Sequence, residues 1–71
     1  MKEDILIRFG NKVRAERQKK NLSQEAFADR VGMHRTYIGM IERAEKNITL
    51  LNIKKLADGL GISISELMKL Q

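Results

Sequence analysis

The sequence predicts an all-α fold, a compact bundle of five helices, and three observations carry that prediction. Apolar residues recur at three- and four-residue spacing, and no strand pattern appears along the chain. Proline is absent from the 71 residues, so no helix is broken from within. The periodic stretches open on side chains that cap helices and close on residues that accept a left-handed backbone.

Helix 1 is expected from Asp4, as N-cap, to about Lys20, with Leu6, Phe9 and Val13 on its inner face. Lys19 and Lys20 suit the negative end of its dipole, and Asn21 serves as a left-handed stop. Ser23 is the predicted N-cap of helix 2, and Leu22 before it can close on Phe27 as a hydrophobic staple. Phe27, Ala28 and Val31 form the inner face, and Gly32 ends the helix. The short turn from Gly32 to His34 leads into helix 3, anchored by Ile38 and Ile41, which makes a helix–tight turn–helix unit. Thr49 caps helix 4, whose Leu50, Ile53, Leu56, Ala57 and Leu60 make one stripe before Gly61 stops it. Ser63-Ile-Ser-Glu66 is a capping box for helix 5.

A chain of this length has room for one modest core, so residues 1–71 are expected to form a single domain. A 42% hydrophobic and 32% charged composition suits a folded protein and argues against disorder. Fourteen Lys and Arg against nine Asp and Glu give a net charge of +5, which on so small a surface favours a polyanionic partner. The absence of cysteine excludes disulfides and thiolate metal sites, and the single histidine cannot build a zinc centre. The opening MKEDILIRFGNK is charged from Lys2 onward and its apolar stretch is interrupted by Arg8, so neither a signal peptide nor a membrane span is expected, and the cytoplasm is the expected location. Scattered carboxylates flanked by Lys or Arg offer no hydrolytic pair, and Gly59-Leu60-Gly61 reads as a helix stop. No catalytic residue, cofactor, metal or small-molecule ligand is therefore expected.

The segment GMHRTYIGMIER, residues 32–43, needs a separate explanation. With Ile38 and Ile41 turned inward, a helical wheel centres the outer face on Thr36 and Arg43, flanked by Gly39 and Met40, with Arg35 at its start. Glycine costs a helix about 1 kcal/mol relative to alanine, so Gly39 is expected where a foreign backbone or base edge comes close. Arginine offers a fork for guanine O6 and N7 or for phosphate, threonine a hydroxyl and a methyl, and methionine an apolar contact for a thymine methyl. The face suits the major groove of DNA.

The run LSQEAFADRVGMHRTYIGMIERAEKNITLLNIKKLADGLGISISEL resembles a helix-turn-helix domain of the Cro and phage-repressor type, the XRE family, over Phe9 to Leu67. The resemblance rests on Ser-Gln opening helix 2, Ile-x-x-Ile-Glu-Arg through helix 3, and the Gly-Ile-Ser-x-Ser-Glu-Leu ending. It implies a lambda-repressor-like fold. Within that family, HRTYIGMIERAEKNITL is most similar to the controller proteins of restriction–modification systems. The resemblance implies base contacts from Arg35, Thr36 and Met40, with Tyr37 at the flank, and phosphate contacts from Gln24, His34, Arg43, Lys46, Asn47 and Thr49. It also implies a structural salt bridge between Arg17 and Glu42. His34 departs from the Ser or Thr common at the start of the third helix in that family.

A second apolar surplus predicts a homodimer. Leu51 lies about 160° from the core stripe of helix 4, and Ile64, Met68 and Leu70 lie near the end of the chain with little left to cover them. A two-fold dimer would set two recognition helices about 34 Å apart on an inverted repeat. The expected function is thus a dimeric, sequence-specific transcriptional regulator, with RNA polymerase as a further candidate partner. The alternatives are a phage-type repressor, or an antitoxin-like regulator whose fold mainly binds a protein.

Overall fold

Capping chemistry sets most of the helix ends. In the computed structural model, which describes residues 2–71, the chain forms α1 (Asp4–Lys19), α2 (Gln24–Val31), α3 (Arg35–Glu42), α4 (Leu50–Leu60) and α5 (Ile64–Leu67). The Ser23, Thr49 and Ser63 hydroxyls accept from the backbone N–H of Ala26, Asn52 and Glu66 at 3.0, 3.2 and 2.9 Å. Gly32 and Gly61 close α2 and α4 in the left-handed region, both at φ 71°, and Asn21 follows α1 at φ 56°. These are the ends expected from residue type.

Three local expectations need correction. Glu3, not Asp4, is the N-cap of α1, through its backbone carbonyl alone, and Asp4 instead pairs with Arg8 one turn on at 3.6 Å. The reciprocal half of the box at Ser63 is not made, because the Glu66 carboxylate faces Lys12 and Lys69, each at 3.7 Å. Leu50 lies on the predicted stripe yet is 71% exposed, because the core ends before it reaches the first residue of α4.

The core joins Phe9 and Val13 of α1, Phe27 and Ala28 of α2, Ile38 and Ile41 of α3, Leu56, Ala57 and Leu60 of α4, and Leu67 of α5. Burying each large side chain stabilises the fold by about 1.5–3 kcal/mol. An eight-residue helix such as α3 would not persist alone, so Ile38 and Ile41 hold it in place and thereby fix which side faces outward. The helix α1 packs on α3 and α4, α2 packs on the same two, and α5 packs on α4. Close approach of α1 to the end of α3 depends on Gly10, where a Cβ would stand 2.6 Å from the Ile41 carbonyl oxygen. Among the described residues no helix is long and apolar enough to cross a membrane, and no three His, Cys, Asp or Glu side chains cluster to hold a metal.

Candidate nucleic-acid interface

The tight turn brings the start of α2 beside the outer face of α3. A cleft of about 610 Å³ opens between them, bordered by Gln24, Glu25, Arg35, Thr36, Gly39 and Arg43. Arg35, Thr36 and Arg43 are exposed, whereas Tyr37 and Met40 are half-buried at the flanks. His34 precedes α3 in extended backbone and makes no side-chain cap bond.

Beneath the cleft lies a buried charge network. Glu42 is 3% exposed and receives both arms of the Arg17 fork, Nε at 2.7 Å and Nη2 at 3.0 Å. Arg14 Nε donates to the same carboxylate at 3.4 Å, and Gln24 Nε2 donates at 3.1 Å. Burial pushes the Glu42 carboxyl up, but donation from Arg17, Gln24 and Arg14 outweighs it and holds the group below the ordinary carboxylate range. Arg17 also donates to the Leu22 carbonyl at 2.8 Å, so one side chain ties α1 to both the start of α2 and the end of α3. Gln24, engaged at one N–H, keeps the other for a partner in the cleft.

Gly39 has a role different from the one expected of it. A Cβ there would meet Arg43 Nη1 at 2.9 Å and Gln24 Oε1 at 3.5 Å, so the space is used by the chain's own side chains. Arg43 lies across Gly39 and is gripped by Glu45, with Nε and Nη2 donating at 3.2 and 3.1 Å. These bonds hold the Glu45 carboxyl below its ordinary range. At the other end of the face, Arg35 Nη1 donates to Glu25 at 3.2 Å.

The remaining predicted residues surround this face. Tyr37 accepts from Asn52 Nδ2 at 3.1 Å, which ties α3 to the first turn of α4. Lys46 is exposed in the α3–α4 loop, and the Thr49 hydroxyl is occupied as the α4 cap. Asn47, in the same loop, borders a separate apolar groove of about 140 Å³ lined by Ile5, Phe9, Ile48, Ile53 and Met68. Of the groove's lining, Met68 is 37% and Ile5 57% exposed; Leu51 of α4 is 77% exposed, while Ile64 and Leu70 fold partly back onto the core.

Sequence reasoning missed Arg14, Glu25, Glu45 and Asn52. Arg14 was within reach of a spacing argument, since it lies three residues before Arg17 on one helix face. The other three had no local signal.

Comparison with known proteins agrees with this geometry. A helix-turn-helix family model matches residues 13–67. The chain is 49% identical over 65 residues to the control protein C.MunI of Mycoplasma sp, covering 90% of this chain and 88% of that one. It is 45% identical to the crystal structure of the restriction–modification controller protein C.AhdI from Aeromonas hydrophila, with TM-score 0.85, covering 87% of this chain and 94% of that one. It is also similar, at 27% identity and TM-score 0.85 over 94% of this chain and 92% of that one, to the controller protein C.Esp1396I, crystallised as a tetramer on its natural 35 base-pair operator.

Proposed function

The chain belongs to the helix-turn-helix family, among its restriction–modification controller proteins, and from that premise we propose that it regulates transcription by binding an inverted-repeat operator as a homodimer. The observation that carries the proposal is the cleft where Arg35, Thr36 and Arg43 of the α3 face meet Gln24 at the start of α2. In this reading Arg35 forks onto guanine O6 and N7, Thr36 and Met40 read neighbouring edges or methyls, and Tyr37 touches the flank of the site. Gln24, His34, Arg43, Lys46, Asn47 and Thr49 grip phosphates on either side, with the N–H groups that open α2 and α4 beside them.

Dimerisation has its own support. Leu50, Leu51, Ile5 and Met68 are large apolar side chains left exposed, and Ile5 and Met68 line an apolar groove, which is surface that a partner would cover. The C.Esp1396I relative occupies its operator as an oligomer. RNA polymerase is the natural further partner for a regulator of this kind.

Selection from a randomised duplex library tests the function. The recovered sites are expected to carry dyad symmetry, and Arg35→Ala to weaken binding to them by about 1–3 kcal/mol and to relax one base pair per half-site. Undiminished, equally selective binding by Arg35→Ala would remove α3 from the reading position.

Gly39→Ala separates folding from binding. The obstacle to the new methyl is the tip of a flexible arginine, so the helix keeps most of the roughly 1 kcal/mol that alanine offers over glycine. Displacing Arg43 costs a phosphate contact. Thermal unfolding is expected to move upward while operator affinity falls; a drop in both would mean that the neighbours of Gly39 cannot give way.

A further inference from the structure

Resting on that reading of function, we propose that Glu25 and Glu45 determine specificity: each holds one arginine of the α3 face in the free protein and competes for it with any DNA phosphate. Arg35 and Glu25 pair at 3.2 Å with side chains 70% and 67% exposed. Arg43 is gripped through two nitrogens by both oxygens of Glu45, with side chains 51% and 40% exposed. The two exposed arginines of the reading face are thus both already paired.

Carboxylates beside a polyanion's seat reduce attraction, so their position calls for a use. In a chain of net charge +5, every free arginine on the face adds to binding at any sequence. The two glutamates come from different parts of the chain, one in the first turn of α2 and one just beyond α3. Glu45 is aimed by the left-handed Ala44, at φ 61°, and anchored where its N–H meets the Met40 carbonyl at 2.8 Å. Lys2 Nζ stands 4.0 Å from the same carboxylate and donates to the Arg43 carbonyl, which further fixes the loop.

Magnitudes decide what such a latch can do. An exposed ion pair changes an equilibrium by about 1.5- to 5-fold, comparable with a single phosphate contact. A guanine fork discriminates by about 5- to 150-fold. A random phosphate therefore gains little by taking either arginine from its glutamate, whereas the guanine read by Arg35 takes it readily and seats α3 where the phosphate for Arg43 is held in register.

The test compares Glu25→Gln, Glu45→Gln and their double variant with the wild-type chain, on a selected operator duplex and on a scrambled duplex of equal length, across a salt series. Asp58→Asn is the charge control, because Asp58 is exposed and paired with Lys54 on α4, away from the cleft. Each glutamine is expected to steepen the salt dependence on the scrambled duplex by up to about 0.9 in log–log slope. Each should also lower the operator-to-scrambled ratio about 1.5- to 5-fold, with the double variant compounding the two. Asp58→Asn should leave the ratio unchanged, and Glu25→Asp should restore it toward wild type. Glutamine variants that behave as Asp58→Asn does would overturn the proposal. A wild-type chain with no preference among duplexes would instead bring down the functional reading beneath it.

Discussion

Glu42→Ala is expected to destabilise the fold by about 3 kcal/mol, the lower end of the range for breaking a buried ion pair. A domain of this size is stable by only about 5–10 kcal/mol, so a large share of the total would go. The cost comes less from lost attraction than from what is left behind. Arg17, its side chain only 12% exposed, would keep its charge with the Leu22 carbonyl as sole acceptor, and Gln24 would lose the partner that orients it. Glu42→Gln should cost less, because its amide oxygen still accepts from the Arg17 fork. The same network predicts an acid limb. The Glu42 carboxyl titrates below its ordinary range when folded, so its contribution is complete above the unfolded value of about 4.3 and is lost as pH falls through the lower, folded one. Glu16, held low chiefly by its hydrogen bond from Lys19 against the opposing cost of burial, adds to the same limb. Urea titrations from pH 7 to pH 3 should show wild-type stability falling below about pH 4.3 and Glu42→Ala falling less steeply. Equal slopes would mean that Glu42 is not the carboxylate that links folding to acid.

What could be foreseen from sequence follows the range of each interaction. Ser23, Thr49 and Ser63 cap by reaching three residues ahead, and Gly32 and Gly61 stop helices through their own backbone freedom, so residue type alone revealed them. Leu50 shows where periodicity fails: it states the direction of a side chain but not how far the neighbouring helices extend to cover it. Ala44 adopts a left-handed backbone that alanine does nothing to advertise, and it does so at the junction that sets Glu45 on Arg43. Glu25 reaches Arg35, and Asn52 reaches Tyr37, across turns that no fixed spacing describes. The outer face of α3 was therefore legible as a set of outward residues on one helix. Its intramolecular pairings were not, because those of Arg35 and Tyr37 depend on how three helices are placed relative to one another, and that of Arg43 on the left-handed turn at Ala44.

The second large effect is expected at Gly10, where alanine should lower stability by about 1–3 kcal/mol despite its better helix propensity. The new Cβ would stand 2.6 Å from the Ile41 carbonyl oxygen, 2.8 Å from that of Glu42 and 3.1 Å from the Glu42 carbonyl carbon. All three are backbone atoms of α3, so no rotamer change relieves the contact and the two helices must separate. Separation also draws Arg14 and Arg17 away from Glu42, since all three side chains span this junction. The identical substitution at Gly39 is too close only to the end of an arginine, with Gln24 Oε1 at ordinary contact distance, and the opposite sign is expected there. Urea unfolding of the two alanine variants side by side measures the difference. If Gly10→Ala proved as stable as Gly39→Ala, α1 and α3 would not approach as closely as described, and the rigid seating of α3 on α1 would have to be abandoned.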